Sequence, residues 1–179
     1  MSIILGLNCY HADSSACIII KGKLEFGIEE ERINRKKHWA GLPINSINAC
    51  LINNNLTISD VTDIVINTNP YSNIKQKSIY FLKNYIKGKK KFEIFKRTRN
   101  KFKLLDDLNK NFKKNKLNNK VKLHFVDHHI SHIASAYYPS KFKKAIGLSV
   151  DGFGDFCSVA IAKCEHEKIE GIDRVYFPH

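Results

Sequence analysis

Short apolar blocks alternate with polar turns at the start of the chain. Ile3 to Leu7 is an apolar run that closes on Asn8 and the polar turn Cys9-Tyr10-His11-Ala12-Asp13-Ser14-Ser15. Ala16 to Ile20 follows, then the tight turn Lys21-Gly22-Lys23, then Leu24 to Ile28. Short runs separated by turn chemistry predict a β-meander. Pro43 opens a predicted helix with Ile44, Ile47 and Leu51 on one face, ended by Asn53-Asn54-Asn55. Val61 to Asn67 reads as the next strand, Asn69-Pro70 as a break, and Ile74 to Lys87 as a helix interrupted at Gly88. A helical region runs on to about Asn119, with Leu104, Leu108 and Phe112 at helical spacing and Phe95 and Phe102 flanking them. Val121 to Val126 is a strand. Asp127 then caps a helix from His128 to about Tyr138, stopped by Pro139.

After Pro139 the opening pattern restarts. Ala145 to Val150 reads as a strand, Asp151-Gly152-Phe153-Gly154-Asp155 as a glycine turn, and Ser158 to Lys163 as a second strand. Strand, acidic polar turn, strand is also how the chain begins. This order predicts an α/β fold with a mixed sheet and helices packed on it, arranged as two similar lobes. The expected boundaries are 1–144 for the first lobe, including a lysine-rich helical segment over 75–120, and 145–179 for a second lobe barely begun. Tyr176-Phe177-Pro178-His179 supplies no closing element, which fits a truncated product.

Composition narrows the class. With 43% hydrophobic and 26% charged residues in 179, the chain is globular rather than disordered. The longest apolar runs are five residues, against roughly 18 for a membrane span. The start has no basic n-region, so no secretory signal is expected. Five cysteines (Cys9, Cys17, Cys50, Cys157, Cys164) form no C-x-x-C pair and read as free buried thiols in a reducing cytoplasm. The net charge of +13 invites a nucleic-acid reading, but its location weakens it. Residues 75–122 hold 16 Lys and 2 Arg against 3 acids, a net +15 that leaves −2 for the rest. A helix with a buried stripe and a solvated lysine face accounts for this segment, with a polyanion-binding patch as the alternative. The glycines and aromatic pattern of an RNA-binding sheet are missing from it.

Three constellations carry candidate chemistry. In Asp127-His128-His129-Ile130-Ser131-His132, positions four apart share a helix face, so His128 and His132 can converge on one ion. His129 is turned away by about 100°. Two imidazoles need a carboxylate beside them, and Asp151 at a strand end is the best candidate. Taken alone, such a histidine pair is more often a surface pair than a metal site. The two acidic turns, Asp13-Ser14-Ser15 and Asp151-Gly152-Phe153-Gly154, can bring backbone N–H groups to phosphate oxygens, and glycine permits positive φ and close approach. Each is also an ordinary hairpin, and neither matches G-x-x-x-x-G-K-[ST]. Finally, Glu29-Glu30-Glu31-Arg32 precedes Lys36-Lys37-His38. This is either a solvated edge or a source of cationic donors from Lys37 and His38. His11 is the remaining candidate base.

In order, these pieces resemble the N-terminal region of the NodU/CmcH-type O-carbamoyltransferases. The matching stretches are Ile4 to Asn8 with His11 to Ala16, Glu29 to His38, Asp127 to Ser140, Ser149 to Asp155, and the terminal Arg174 to His179. The likeness covers roughly 1–45 and 121–179, and the lysine-rich middle matches nothing specific. It implies a two-lobed actin-like ATPase (ribonuclease H-like) fold. It also implies a reaction: carbamoyl phosphate and ATP give carbamoyl-adenylate in a C-terminal YrdC-like domain, and the carbamoyl group passes to a hydroxyl of a sugar, antibiotic or other natural product. Carried over, His128, His132 and Asp151 are the metal ligands, with iron the ion. His11 is the base and Lys37 the carbamoyl-oxygen donor. The turn residues Asp13, Ser14, Gly152 and Gly154, read above as phosphate-facing, are the expected nucleotide contacts. The family usually has Asp directly after the first histidine, whereas Ala12 stands there in this chain. With the YrdC-like domain missing, 1–179 alone is expected to lack full activity. A sugar kinase or hydrolase of the same fold and a non-catalytic basic binding module are the rival readings. The histidine pair argues against a kinase, which would rely on Mg²⁺ and carboxylates.

Overall fold

The structure is a computed structural model, and it describes residues 1–83 and 103–177. The chain divides into two compact units, residues 1–66 with 87–124, and residues 67–86 with 125–179.

The first unit opens with the expected meander. Strands β1 (Ile3–Asn8), β2 (Ser15–Ile20) and β3 (Lys23–Glu29) pair antiparallel, with Ile3 opposite Ile20 and Ser15 opposite Glu29. Lys21 (φ 52) and Gly22 (φ 82) form the two-residue loop between Ile20 and Lys23, the left-handed geometry a tight hairpin demands. Helices α1 (Glu30–Asn34) and α2 (Ile44–Asn53) and a 3₁₀ turn at Ile58–Asp60 carry the chain over to β4 (Asp63–Ile66). A crossover of that kind is what lets β4 lie parallel to β1, with Leu5 opposite Ile64. The sheet order is β3-β2-β1-β4-β5, with β5 at Lys122–Phe125. Leu5, Ile18, Ile47, Cys50, Ile64 and Ile66 are fully buried and form the centre of this unit.

Glu30 is buried too, which the sequence did not announce. Its carboxylate accepts from the Asn45 backbone and side-chain N–H groups (3.3 and 2.7 Å) and from Ser46 N and Oγ (both 2.8 Å). It therefore satisfies the open N–H groups at the start of α2, where Pro43 has no side chain able to do so.

In the second unit, β6 (Lys144–Gly154), β7 (Cys157–Glu165) and β8 (Lys168–Tyr176) form an antiparallel sheet in that order. Two helices precede it in the chain: α3 (Ile74–Lys83) belongs to this unit, and α4 (Leu104–Asn111) to the first. Helix α5 (His128–Tyr137) lies on the sheet, where Ile133, Tyr137, Ala162 and Cys164 are buried together. Its first turn is capped by Asp127, which accepts from His129 N and Ile130 N. On β6 the alternate residues Ile146, Leu148 and Val150 are exposed.

Several expectations are corrected. Strand β8 was not foreseen: its residues are mostly polar and exposed, so no apolar alternation marks it. The segment Asp151 to Gly154 is not a turn but the end of β6, with a register irregularity between Val150 and Gly154. The reversal falls instead on Asp155 (φ 49) and Phe156 (φ 70). The basic helix keeps Leu104 and Leu108 buried but ends at Asn111, not near Asn119. The expected helix is present over Ile74–Lys83, while its continuation to Lys87, the break at Gly88, Phe95 and Phe102 lie outside the described residues. Helix α5 groups with the second sheet, whereas the sequence reading counts it with the first lobe.

Candidate functional site

The helical spacing of His128 and His132 does what it implies. The two Nε2 atoms lie 3.1 Å apart, and the Asp151 Oδ2 is 2.6 Å from the first and 3.7 Å from the second. One ligand atom from each of the three residues falls within 4.8 Å of the others. Proximity to His128 Nε2 comes first in holding the Asp151 carboxyl below the usual carboxylate range, ahead of Gly152 N and His132. Burial, and then the neighbouring His128, push the His132 pKa down. An ionised carboxylate and unprotonated imidazoles are the forms that bind a cation. Two nitrogens and one oxygen suit a borderline divalent ion such as iron or zinc.

Surrounding groups hold the trio in place. His129 points the other way, fully buried, with Nδ1 2.8 Å from Ser149 Oγ and Nε2 3.0 Å from the Cys157 carbonyl. Because a carbonyl only accepts, Nε2 carries the proton and Nδ1 accepts from the serine hydroxyl. Asp155 Oδ2 accepts from the backbone N–H groups of His128 (2.9 Å) and Asn69 (2.8 Å). The second oxygen of Asp127 accepts from Ser72 Oγ (2.9 Å) and Arg174 Nη1 (2.7 Å). Burial pushes the Asp127 pKa up, but Arg174 and Ser72 outweigh it and keep the group below the usual range.

Gly152 and Gly154 of β6 differ in their surroundings. Among the described residues only Gly22 is a glycine at positive φ. A Cβ on Gly154 would overlap the His128 ring, whereas one on Gly152 would meet nothing within 4 Å. Gly154 thus leaves room for the His128 imidazole.

The other candidates belong to the first unit. Tyr10 donates its hydroxyl to Asp107 of α4 (3.0 Å), tying down the turn; burial, then that carboxylate, raise its pKa. His11 is half-buried, with Nδ1 3.1 Å from the Ala12 carbonyl. Ser14 is buried: its hydroxyl donates to Gly41 O (2.9 Å) and its N–H to Trp39 O (3.0 Å), so both groups strap the turn to the loop over 38–41. Asp13 (φ 62) has Oδ1 2.9 Å from His38 Nδ1. Lys37 is exposed. The sequence missed the parts played by Asp155, Arg174 and Glu30. The only signal for Asp155 was its place at the end of Asp-Gly-Phe-Gly-Asp.

The mixed sheet of the first unit makes this an α/β protein of actin-like type, and the second unit adds a metal-type donor set of two histidines one helical turn apart and a strand carboxylate. Comparison with known proteins agrees on the fold. YeaZ from Pseudomonas aeruginosa superposes with a TM-score of 0.52 at 10% identity, over 99% of this chain and 68% of that one. The family described as carbamoyltransferase N-terminus matches residues 3–178, and the chain belongs to that family. It is 29% identical to the uncharacterized protein sll1178 of Synechocystis, over 100% of this chain and 30% of that protein. It is 28% identical to the nodulation protein NolNO of Sinorhizobium fredii, over 87% of this chain and 22% of that protein. The chain thus spans less than a third of the length of these curated relatives. No helix among the described residues is long and apolar enough to cross a membrane.

Proposed function

We propose that the chain is the N-terminal part of a cytoplasmic O-carbamoyltransferase. In this reading carbamoyl-adenylate, made from carbamoyl phosphate and ATP, gives its carbamoyl group to a hydroxyl of a sugar, antibiotic or other natural product. Family membership over residues 3–178 supports the reaction class. The observation that carries the site is the convergence of His128, His132 and Asp151 within 4.8 Å. These residues hold a divalent metal, iron on this reading, which when bound offsets negative charge on the nucleotide phosphate. His11 takes the proton from the acceptor hydroxyl. The freed oxygen bonds to the carbamoyl carbon as the carbon–oxygen bond to phosphate breaks and AMP leaves. Lys37 donates to the carbamoyl oxygen in that step. Asp13 and Ser14 shape the nucleotide-binding turn, with Gly152 and Gly154 on the strand that presents Asp151. The part of the relatives' length not spanned here supplies the YrdC-like domain.

Metal analysis with nucleotide titration tests the reading. The purified chain is expected to hold metal and to bind ATP only when loaded, and His128→Ala or His132→Ala should lose both properties. Metal content unchanged in both variants would overturn it. Steeply salt-dependent binding to generic DNA, with no bound metal, would favour the basic-module alternative.

A further inference from the structure

Four aromatic rings of the second unit meet at one end of its sheet. Phe153 is near the end of β6, Phe156 in the reversal that follows, Phe177 just past β8, and Tyr80 on α3. Centroid separations run from 5.4 Å (Tyr80 to Phe156) to 6.1 Å (Phe153 to Phe156), with Phe153 and Phe177 at 5.5 Å. We propose that the open side of this cluster, Phe153 with Phe177 beside it, stacks the base of a nucleotide whose phosphate is held at His128, His132 and Asp151; this rests on the function proposed above.

Position is the first argument. Phe153 is bracketed by residues that touch the donor set. Two residues earlier, Asp151 Oδ2 meets His128 Nε2 at 2.6 Å, and one residue later a Cβ on Gly154 would overlap that same ring. Two steps along a strand cover about 7 Å, and in a nucleotide the base stands one sugar away from the phosphate. Gly152 lies between Asp151 and Phe153, and a Cβ there would meet nothing within 4 Å. The path from carboxylate to ring is therefore open. All of these residues belong to the second unit.

Exposure is the second argument. Phe156 is 8% exposed and forms the floor of the cluster, whereas Phe153 is 56% and Phe177 39% exposed. Phe177 N donates to Phe156 O (3.3 Å), which fastens the two open rings to that floor. Leaving rings of this size in water forgoes the gain of burial, and clustered exposed apolar groups mark binding surfaces. Both ring contacts of Phe153 are T-shaped, at 75° to Phe156 and 88° to Phe177, so among the described residues no ring is stacked on it. A planar base laid there gains dispersion and offset-stacking contacts. Every base has a π-face, so this surface supplies affinity and leaves the choice of base to other groups.

The test is calorimetric titration of the whole chain, loaded with Fe²⁺ under argon or with Zn²⁺ in its place. ATP is compared with inorganic tripolyphosphate, which has the phosphates but no base. Phe153→Ala should weaken ATP binding roughly tenfold or more. Its tripolyphosphate affinity, metal content and circular dichroism spectrum should match wild type. Phe153→Trp should keep the ATP affinity, and its added indole emission should be quenched by ATP but not by tripolyphosphate. Equal ATP affinity in wild type and Phe153→Ala would overturn the inference, as would equal weakening of both ligands; in the first case the metal and phosphate reading still stands. A loaded wild type that binds neither ligand would remove the proposed function, and this inference with it.

Discussion

Gly154 has no side chain, and the space a Cβ would take belongs to the His128 ring. Gly154→Ala should therefore displace that imidazole and weaken metal binding at the α5 site roughly ten- to a hundred-fold, with the fold kept. Gly152→Ala, which meets open space, should leave metal affinity where it was. Calorimetric titration of the two variants side by side checks the pair, and equal losses would refute the packing argument. The histidine pair was legible in the sequence because helical period alone puts His128 and His132 on one face. Asp151 was legible as the acid beside them. The work of Gly154 was not, because the ring it accommodates comes from a helix whose distance in sequence gives no hint of contact. The same holds for Glu30, one of three successive glutamates with nothing to mark it as the buried one.

Helix α5 begins at an aspartate with two duties. Asp127 caps the first turn with one oxygen and binds Ser72 and Arg174 with the other, and both members of the ion pair are largely buried. Asp127→Ala removes the cap and leaves a guanidinium unpaired. Urea denaturation should show a loss of about 3 kcal/mol, most of it from the stranded charge. At the far end of the same sheet, Lys144 and then Lys163 pull the Glu165 carboxyl down to about 2 from its ordinary 4.5. The folded state therefore favours the ionised form, so this cluster stabilises above pH 4.5 and its contribution fades as pH falls toward 2. The stability difference between wild type and Glu165→Gln should shrink over that window; a difference that stays constant would remove the cluster from the account. Strands with buried alternate positions, such as β1 and β4, could be read ahead of the structure. Strand β8 could not, since its pairing with β7 comes from backbone bonds that leave no apolar trace. Helix α1 is too short for periodicity to show.

The basic charge is concentrated over 75–122, outside the stretch that holds His128, His132 and Asp151, so the net +13 is no guide to what that donor set binds. The α5 donor set lies wholly within the second compact unit, so on the proposed reading metal should act on that unit. Metal at a hundred times its dissociation constant should add about 2.7 kcal/mol to the protection of the second unit. Hydrogen exchange should slow in α5 and β6 and stay as it was in α2; equal slowing in both would mean that the units do not respond separately. A metal bound at α5, as proposed, would also inherit a constraint from His129. Both of its ring nitrogens are held, by Ser149 and by the Cys157 carbonyl, so the helix cannot roll about its axis without breaking two bonds. The bite of the neighbouring imidazoles is set before any ion arrives. Loading would then ask the ion to shed water, not the protein to rearrange, and selection would fall on ionic radius and the cost of dehydration.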